Sequence, residues 1–400
     1  MLVLLIFGVT LLVGVLISEL ADRTIVSTAV LFLGIGVIMG DGFLGFIKLA
    51  PDSPVVSRLA DFALVAVLFT DAMKLGWGKL RRAWRLPGRA LFIGLPLTMG
   101  ITALFGHYVA NLSWLDAWLV GAALSPTDPV FAAAIVGREG ISGRLRHLLN
   151  VESGLNDGLA LPIVLGILAV GGAEDTTLGQ NLLELAEGCA IGVIIPWIVL
   201  RFERTRFFAV AHSHESLLPI GIGLTVFALA EILHANQFLA AFTAGVTFAT
   251  LRPRRADRTQ DPHALSQELS ELLKLAALLV FGALISPQFL REIPASGYLF
   301  AALALLVARP LALLISLLGA DMAWRDRLAA MWFGPKGFAS VIYGLIILES
   351  GVQGADESFH LVALVVAGSI IAHSSTDVVM ARWLKCADDD EQPTPQPEAA

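Results

Sequence analysis

Charged side chains are scarce in this sequence. Asp, Glu, Lys and Arg make up 15% of its 400 residues and 56% are hydrophobic, whereas a soluble domain carries about 25% charged residues. That scarcity excludes an ordinary soluble globule. Cysteine is rarer still, with only Cys189 and Cys386. The two provide no metal-ligand cluster, and their separate segments argue against a disulfide. Polar stretches longer than about 20 residues are also missing, whereas a folded domain needs 50 or more, so no second, soluble activity is expected. The first apolar run, Leu2–Leu16, lacks a basic flank and a clear small-residue cleavage site. It reads as a retained helix and not as a cleaved signal peptide.

What the sequence does have is long apolar runs from end to end. Crossing roughly 30 Å of hydrocarbon takes about 20 apolar residues in a helix. Thirteen candidates fit, at about 2–20, 24–40, 59–76, 90–110, 114–136, 147–170, 179–200, 215–233, 236–251, 268–286, 297–318, 328–348 and 357–380. The fold class expected is therefore an all-α polytopic membrane protein. The tail, residues 387–400, is acidic and proline-rich and is expected to be disordered.

Basic residues gather on the cytoplasmic side of membrane proteins. With thirteen spans and the N-terminus outside, twenty-one of the 27 Lys and Arg fall inside. Only Lys48, Arg58 and Arg291 fall outside, and Lys274, Arg309 and Lys336 lie within spans. One span more or fewer would scramble this alternation. An inner-membrane protein with a cytoplasmic C-terminus is expected, its basic loops serving as anchors at the lipid surface and not as a nucleic-acid site.

Charged groups at membrane depth are costly and mark ion pathways or internal pairs. The fifth candidate carries Ser125-Pro126-Thr127-Asp128-Pro129 near its middle. Two prolines so close make a continuous helix improbable, because each lacks an amide donor and clashes with the preceding turn. The sixth reads Glu152-Ser153-Gly154-Leu155-Asn156-Asp157-Gly158. Ser153 and Asp157 share one helical face, with Glu152 and Asn156 on the adjacent one. Asp157 lies roughly 15 Å into the span, at the bilayer centre, where a carboxylate is expected to take up a cation or a proton. Glu152 is better suited to neutralising a basic residue, and Arg309 in the eleventh candidate is available.

The twelfth candidate contains Phe333-Gly334-Pro335-Lys336-Gly337, a second expected break with a buried cation. Transporters built from inverted repeats place two such breaks opposite each other. Val67–Met73 in the third candidate is faintly similar to Leu278–Leu284 in the tenth. Spans one to six and eight to thirteen would then be two copies of opposite topology, with span seven as linker. Asp71, in the third span, either faces the cation route or pairs with Lys74. His373 and Asp377, four apart in the last span, suit packing or an interfacial position, with a regulatory response to pH as the sharper alternative.

Taken together, S-P-T-D-P-V (Ser125–Val130), E-S-G-L-N-D-G (Glu152–Gly158), A-R-P-L (Ala308–Leu311) and F-G-P-K-G (Phe333–Gly337), in this order, resemble the monovalent cation:proton antiporters of the NhaP and sodium/hydrogen exchanger type. The resemblance runs to about Lys385. It implies thirteen helices, two inverted six-helix repeats with crossed broken helices, and a core that moves like an elevator beside a dimerisation scaffold. The membrane transporter domain would be 1–386, with core helices at about 59–170 and 268–380 and scaffold helices at about 1–40 and 179–251. By the same resemblance Asp157 takes up either proton or cation, and Ser153 and Thr127 supply further oxygen ligands. Asn156 marks the branch with one aspartate, and Asp71 joins the site. Glu152 pairs with Arg309, and Asp128 with Lys336. The chain departs from the family pattern at Gly154, at Lys336, where arginine is usual, and at Asp71, where Glu-Gly-Gly is common.

The resemblance implies proton exchange for sodium, with potassium or lithium as alternatives, in a homodimer needing no cofactor, surrounded by membrane lipid. Another inverted-repeat carrier or a channel would leave Asp157 beside Asn156 unexplained. A hydrolase using Ser153 with His147 fails on geometry, because six residues apart on one helix they face away from each other.

Overall fold

A computed structural model of the chain describes residues 1–18, 27–51, 53–82, 86–128, 142–171, 178–205, 208, 210, 211, 214–252 and 264–391. Among them the regular structure is helical, apart from one isolated bridge between Gly40 and Ile47. The helices are α1 (Leu2–Leu16), α2 (Thr28–Met39), α3 (Pro54–Arg82), α4 (Leu86–Tyr108), α5 (Trp114–Ala123), α6 (Gly143–Val170) and α7 (Leu178–Glu203). There follow α8 (Leu217–Ile232), α9 (Gln237–Leu251), α10 (Ala264–Leu284), α11 (Ala295–Ser316), α12 (Trp324–Trp332), α13 (Phe338–Glu349) and α14 (Ala355–Glu391). A short helical turn, Pro287–Glu292, joins α10 to α11.

The starts of several helices are written locally. Ser27, Ser113, Ser142 and Asn236 each accept a hydrogen bond from the backbone amide three residues on, capping α2, α5, α6 and α9. Side-chain acceptors of this kind satisfy amides that a helix end leaves unpaired. Among the described residues five stretches are long and apolar enough to cross a membrane: Leu86–Tyr108, Gly143–Val170, Gly179–Glu203, Ala295–Ser316 and Ala355–Thr376. Shorter apolar helices accompany them, among them α1, α2, α8, α9 and α13. The protein is a multi-pass membrane protein. Leu4, Leu12 and Val15 of α1 are each more than 60% exposed, as suits an outer surface whose solvent is lipid.

Each of the thirteen apolar candidates overlaps a helix among the described residues, the twelfth on α12 and α13 together, with residues 19, 20 and 24–26 of the first two outside them. Of the fifth, the residues after Asp128 lie outside the described ones. The tail differs from expectation. Helix α14 continues to Glu391, past Lys385 and into the stretch read as disordered, because Ala387–Glu391 holds neither proline nor glycine and Pro393 is the first breaker. Residues 392–400 lie outside the described ones.

Internal repetition shows in two places. The fourth and eleventh spans each carry one wide π-turn, Ala90–Gly94 in α4 and Ala304–Ala308 in α11. Each precedes a proline, Pro96 or Pro310, whose missing amide and ring a regular turn would not accommodate. The second place is a pair of backbone crossings. A Cβ on Gly36 of α2 would stand 2.2 Å from Leu279 O of α10, and one on Gly245 of α9 would stand 2.4 Å from Phe69 O of α3. Small residues let membrane helices approach this closely. Span two against ten and span nine against three are the same pairing with the two repeats exchanged. Through these contacts α10 packs on α2 and α3 on α9.

Candidate functional site

Two interruptions meet at the middle of the molecule. Helix α5 ends at Ala123 and continues as non-helical chain through Asp128, while Phe333–Gly337 separates α12 from α13. Each interruption satisfies backbone groups of the other. Asp128 N donates to Pro335 O at 2.9 Å, and Phe338 N, at the start of α13, donates to Asp128 Oδ2 at 3.3 Å. Lys336 N donates to Ser369 Oγ of α14 at 2.7 Å. Irregular backbone at membrane depth requires such internal partners.

The glycines of F-G-P-K-G are explained by what lies against them. A Cβ on Gly337 would stand 2.0 Å from Asp128 Cβ, and one on Gly334 would stand 1.7 Å from Arg309 Nε. Both side chains occupy the space that any larger residue would need.

The structure brings Glu152 and Arg309 together. Arg309 Nη1 donates to Glu152 Oε1 at 2.6 Å and Nη2 to Oε2 at 3.2 Å. Nη2 also reaches Ala330 O and Phe333 O at 3.4 and 3.3 Å, so the same guanidinium ties down the end of α12. Asp128 and Lys336 are arranged differently from expectation. The ion pair of Asp128 is with Lys274 of α10, at 3.9 Å, and Lys336 Nζ donates to the carbonyls of Ser125 and Pro126, both at 3.4 Å. The physical reason is local. Asp128 turns one oxygen to the first amide of α13, while the carbonyls just past the end of α5 form an electronegative pocket for the Lys336 ammonium.

Thr127, Ser153 and Asn156 converge. Thr127 Oγ1 and Ser153 Oγ are 3.3 Å apart. Asn156 Nδ2 donates to Thr127 Oγ1 at 2.7 Å and approaches Thr127 O at 3.4 Å, and Asn156 Oδ1 is buried with no partner among the described residues. Asp157, next in the chain, is 5% exposed. The charged groups that act on it are Asp128, Asp71, Lys274 and Lys336. Among the described residues every other buried carboxylate has a partner: Asp71 has Lys74 at 2.6 Å, Asp116 has Ser113 at 2.6 Å, Asp128 has Lys274 at 3.9 Å, and Glu152 has Arg309 at 2.6 Å. The Asp157 carboxylate has neither an ion pair nor a hydrogen bond among the described residues. Asp71 thus takes the Lys74 pairing, just before the bend of α3 at Gly76 (φ 56°).

Comparison with known proteins places the chain in a family. The model of the family described as the sodium/hydrogen exchanger, transmembrane, matches residues 8–383. The chain belongs to the sodium/hydrogen exchanger family. It is 26% identical over 384 residues to the K(+)/H(+) antiporter NhaP2 of Shewanella baltica, covering 93% of this chain and 65% of that protein. To the K(+)/H(+) antiporter NhaP of Alkalimonas amylolytica it is 26% identical over 395 residues, covering 96% and 67%. The chain thus spans about two-thirds of the length of these curated relatives. Its fold is that of the sodium proton antiporter MjNhaP1 from Methanocaldococcus jannaschii, with a TM-score of 0.76 at 20% identity, covering 96% of this chain and 100% of that one.

Several residues of this exchanger-family site went unassigned in the sequence. Lys274 was visible as one of three basic residues inside spans, with nothing to show which acid it meets. Tyr343 Oη donates to the backbone carbonyl of Asp157 at 2.8 Å, and its scarcity was the available signal, since the chain has only three tyrosines. His373 is buried, with Nε2 at 3.0 Å from Trp332 O and Nδ1 at 2.8 Å from Ser369 O. It joins α14 to the end of α12, a packing role. The Asp377 side chain lies outside the described residues.

Proposed function

We propose that this chain is a secondary active transporter, and not an enzyme, that exchanges protons for a monovalent cation across the inner membrane. Asp157 is the group neutralised alternately by one or the other. One observation carries the reading: among the described residues Asp157 is the buried carboxylate left without an ion pair or a hydrogen-bond donor, whereas the other buried carboxylates each have a partner. Burying an unpaired charge is expensive, so such a group stays in place where a mobile ion completes it. Thr127, Ser153 and Asn156 bring oxygens beside it that suit a hard monovalent cation. Sodium is the first expectation, and potassium stands beside it because two relatives are named for potassium and the structural neighbour for sodium.

In this reading the N-terminus is outside, the C-terminus is cytoplasmic, and the protein works as a homodimer by alternating access. The test uses purified protein in liposomes, with internal pH followed while sodium, potassium or lithium is added. Cation-driven proton flux is expected from the wild type and none from a folded Asp157→Asn variant. Normal flux in that variant would overturn the assignment.

A further inference from the structure

One buried cation has no part in the exchange just described. The Lys274 side chain is 5% exposed, with Nζ 3.9 Å from Asp128 Oδ1 and 3.4 Å from Glu271 Oε2. Asp71 also acts on it, and it acts on Asp157. Its two carboxylate contacts are long, because a direct ammonium–carboxylate hydrogen bond measures roughly 2.7–2.9 Å. They also belong to different parts of the molecule. Asp128 sits on the crossing of the broken helices, whereas Glu271 is one turn away on α10 itself and is 41% exposed. Helix α10 is tied to its neighbours apart from that crossing, by the Gly36 contact with α2 and by the Thr70 Oγ1–Ser270 Oγ hydrogen bond of 3.2 Å to α3. An ammonium on a flexible stem is thus held between a buried and a solvent-reached acid, at hydrogen-bond length from neither.

We propose that Lys274 is a tethered cation that competes with the transported one. With the site empty, its ammonium leans on Asp128 and reduces the negative potential at Asp157. When a cation loads, the ammonium withdraws toward Glu271. Lys274 acts through the field at Asp157 and does not touch the ion, so it is a positioning residue that sets affinity. The proposal rests on the exchange reading of Asp157. The sign of its effect follows directly. Removing the ammonium takes a positive charge from beside Asp128, which makes the surroundings of Asp157 more negative and a bound cation more stable. Between unit charges a few ångströms apart in a partly buried setting, that change is large enough to read in a binding constant.

The test measures the cation KM in liposomes at a pH high enough that KM no longer varies with pH, so that protons do not compete. Lys274→Met is expected to lower KM by about tenfold or more, equivalent to about 1.4 kcal/mol, and Lys274→Arg is expected to bring it back toward the wild-type value. Glu271→Gln alters a half-exposed side chain and removes the place of withdrawal, so it is expected to raise KM by about threefold or more. A merely structural lysine would change the amount of folded protein and its maximal rate, leaving KM unmoved. An unchanged KM in Glu271→Gln, or an unchanged or raised KM in folded Lys274→Met, would overturn the proposal. Should Lys274→Met not fold, Glu271→Gln decides alone. Absence of cation-driven flux in the wild type is a separate outcome, and it would remove the exchange reading together with this inference.

Discussion

Arg309 grips Glu152 with both terminal nitrogens, at 2.6 and 3.2 Å, and touches the last carbonyls of α12 with one of them. Removing one partner of a buried pair leaves an uncompensated charge and costs about 3–5 kcal/mol, whereas removing both can cost far less. The thermal stabilities of Glu152→Gln, Arg309→Met and the double variant should therefore be strongly non-additive. Additive losses would mean that the two side chains act independently.

Asp128 gives a second cycle that separates two candidate partners. With Lys274 as its ion pair and Lys336 held by carbonyls, Asp128→Asn should couple in stability to Lys274→Met by more than about 1 kcal/mol. Coupling to Lys336→Met should be smaller. The reverse order, measured by thermal unfolding of the three single and two double variants, would restore the pairing that the family resemblance implies.

Gly337→Ala should destabilise the crossing, since its new Cβ would stand 2.0 Å from Asp128 Cβ. Overpacking of this kind costs about 1–3 kcal/mol or more. Gly221→Ala is the control, because nothing lies within 4 Å of a Cβ there. Equal melting temperatures for the two variants would show that the crossing is not as close as described.

Exchange should be one proton for one cation and electrically silent. Asp157 carries one neutralising charge in either half-cycle, Asn156 cannot ionise, and Glu152 is held by Arg309. A net charge moved across the membrane would respond by about 2.3 kcal/mol per 100 mV. Proton flux driven by sodium, in liposomes clamped with potassium and valinomycin, should therefore change little with voltage. Steep voltage dependence would rule out the one-for-one scheme and point to Asp71 as a second carrier.

The breaks were legible because proline and glycine act on the chain locally: Pro126 with Pro129, and Gly334 with Pro335, lie close enough together to disfavour a regular helix. The Glu152–Arg309 pair was legible for a different reason, since two opposite charges at membrane depth must find partners. The partner of Asp128 was not, because Lys336 and Lys274 both lie inside spans, and only the crossing angle of the chains decides which ammonium reaches which acid. The placement of α3 with α9 and of α10 with α2 was hidden in the same way. Gly245 and Gly36 permit a close crossing, but a glycine does not name the helix that will fill its space.

The wide turn Ala304–Ala308 acts as a rotary offset. One extra residue in a turn twists everything after it by about 100° relative to an uninterrupted helix. Arg309 is the first residue past that offset, and its direction toward Glu152 depends on it. Deleting a single alanine or leucine from this turn would leave α11 apolar and long enough to span the membrane, yet would swing the guanidinium a quarter-turn off its target. Helix length and side-chain aim are thus separately encoded in α11, and the aim is the more fragile of the two.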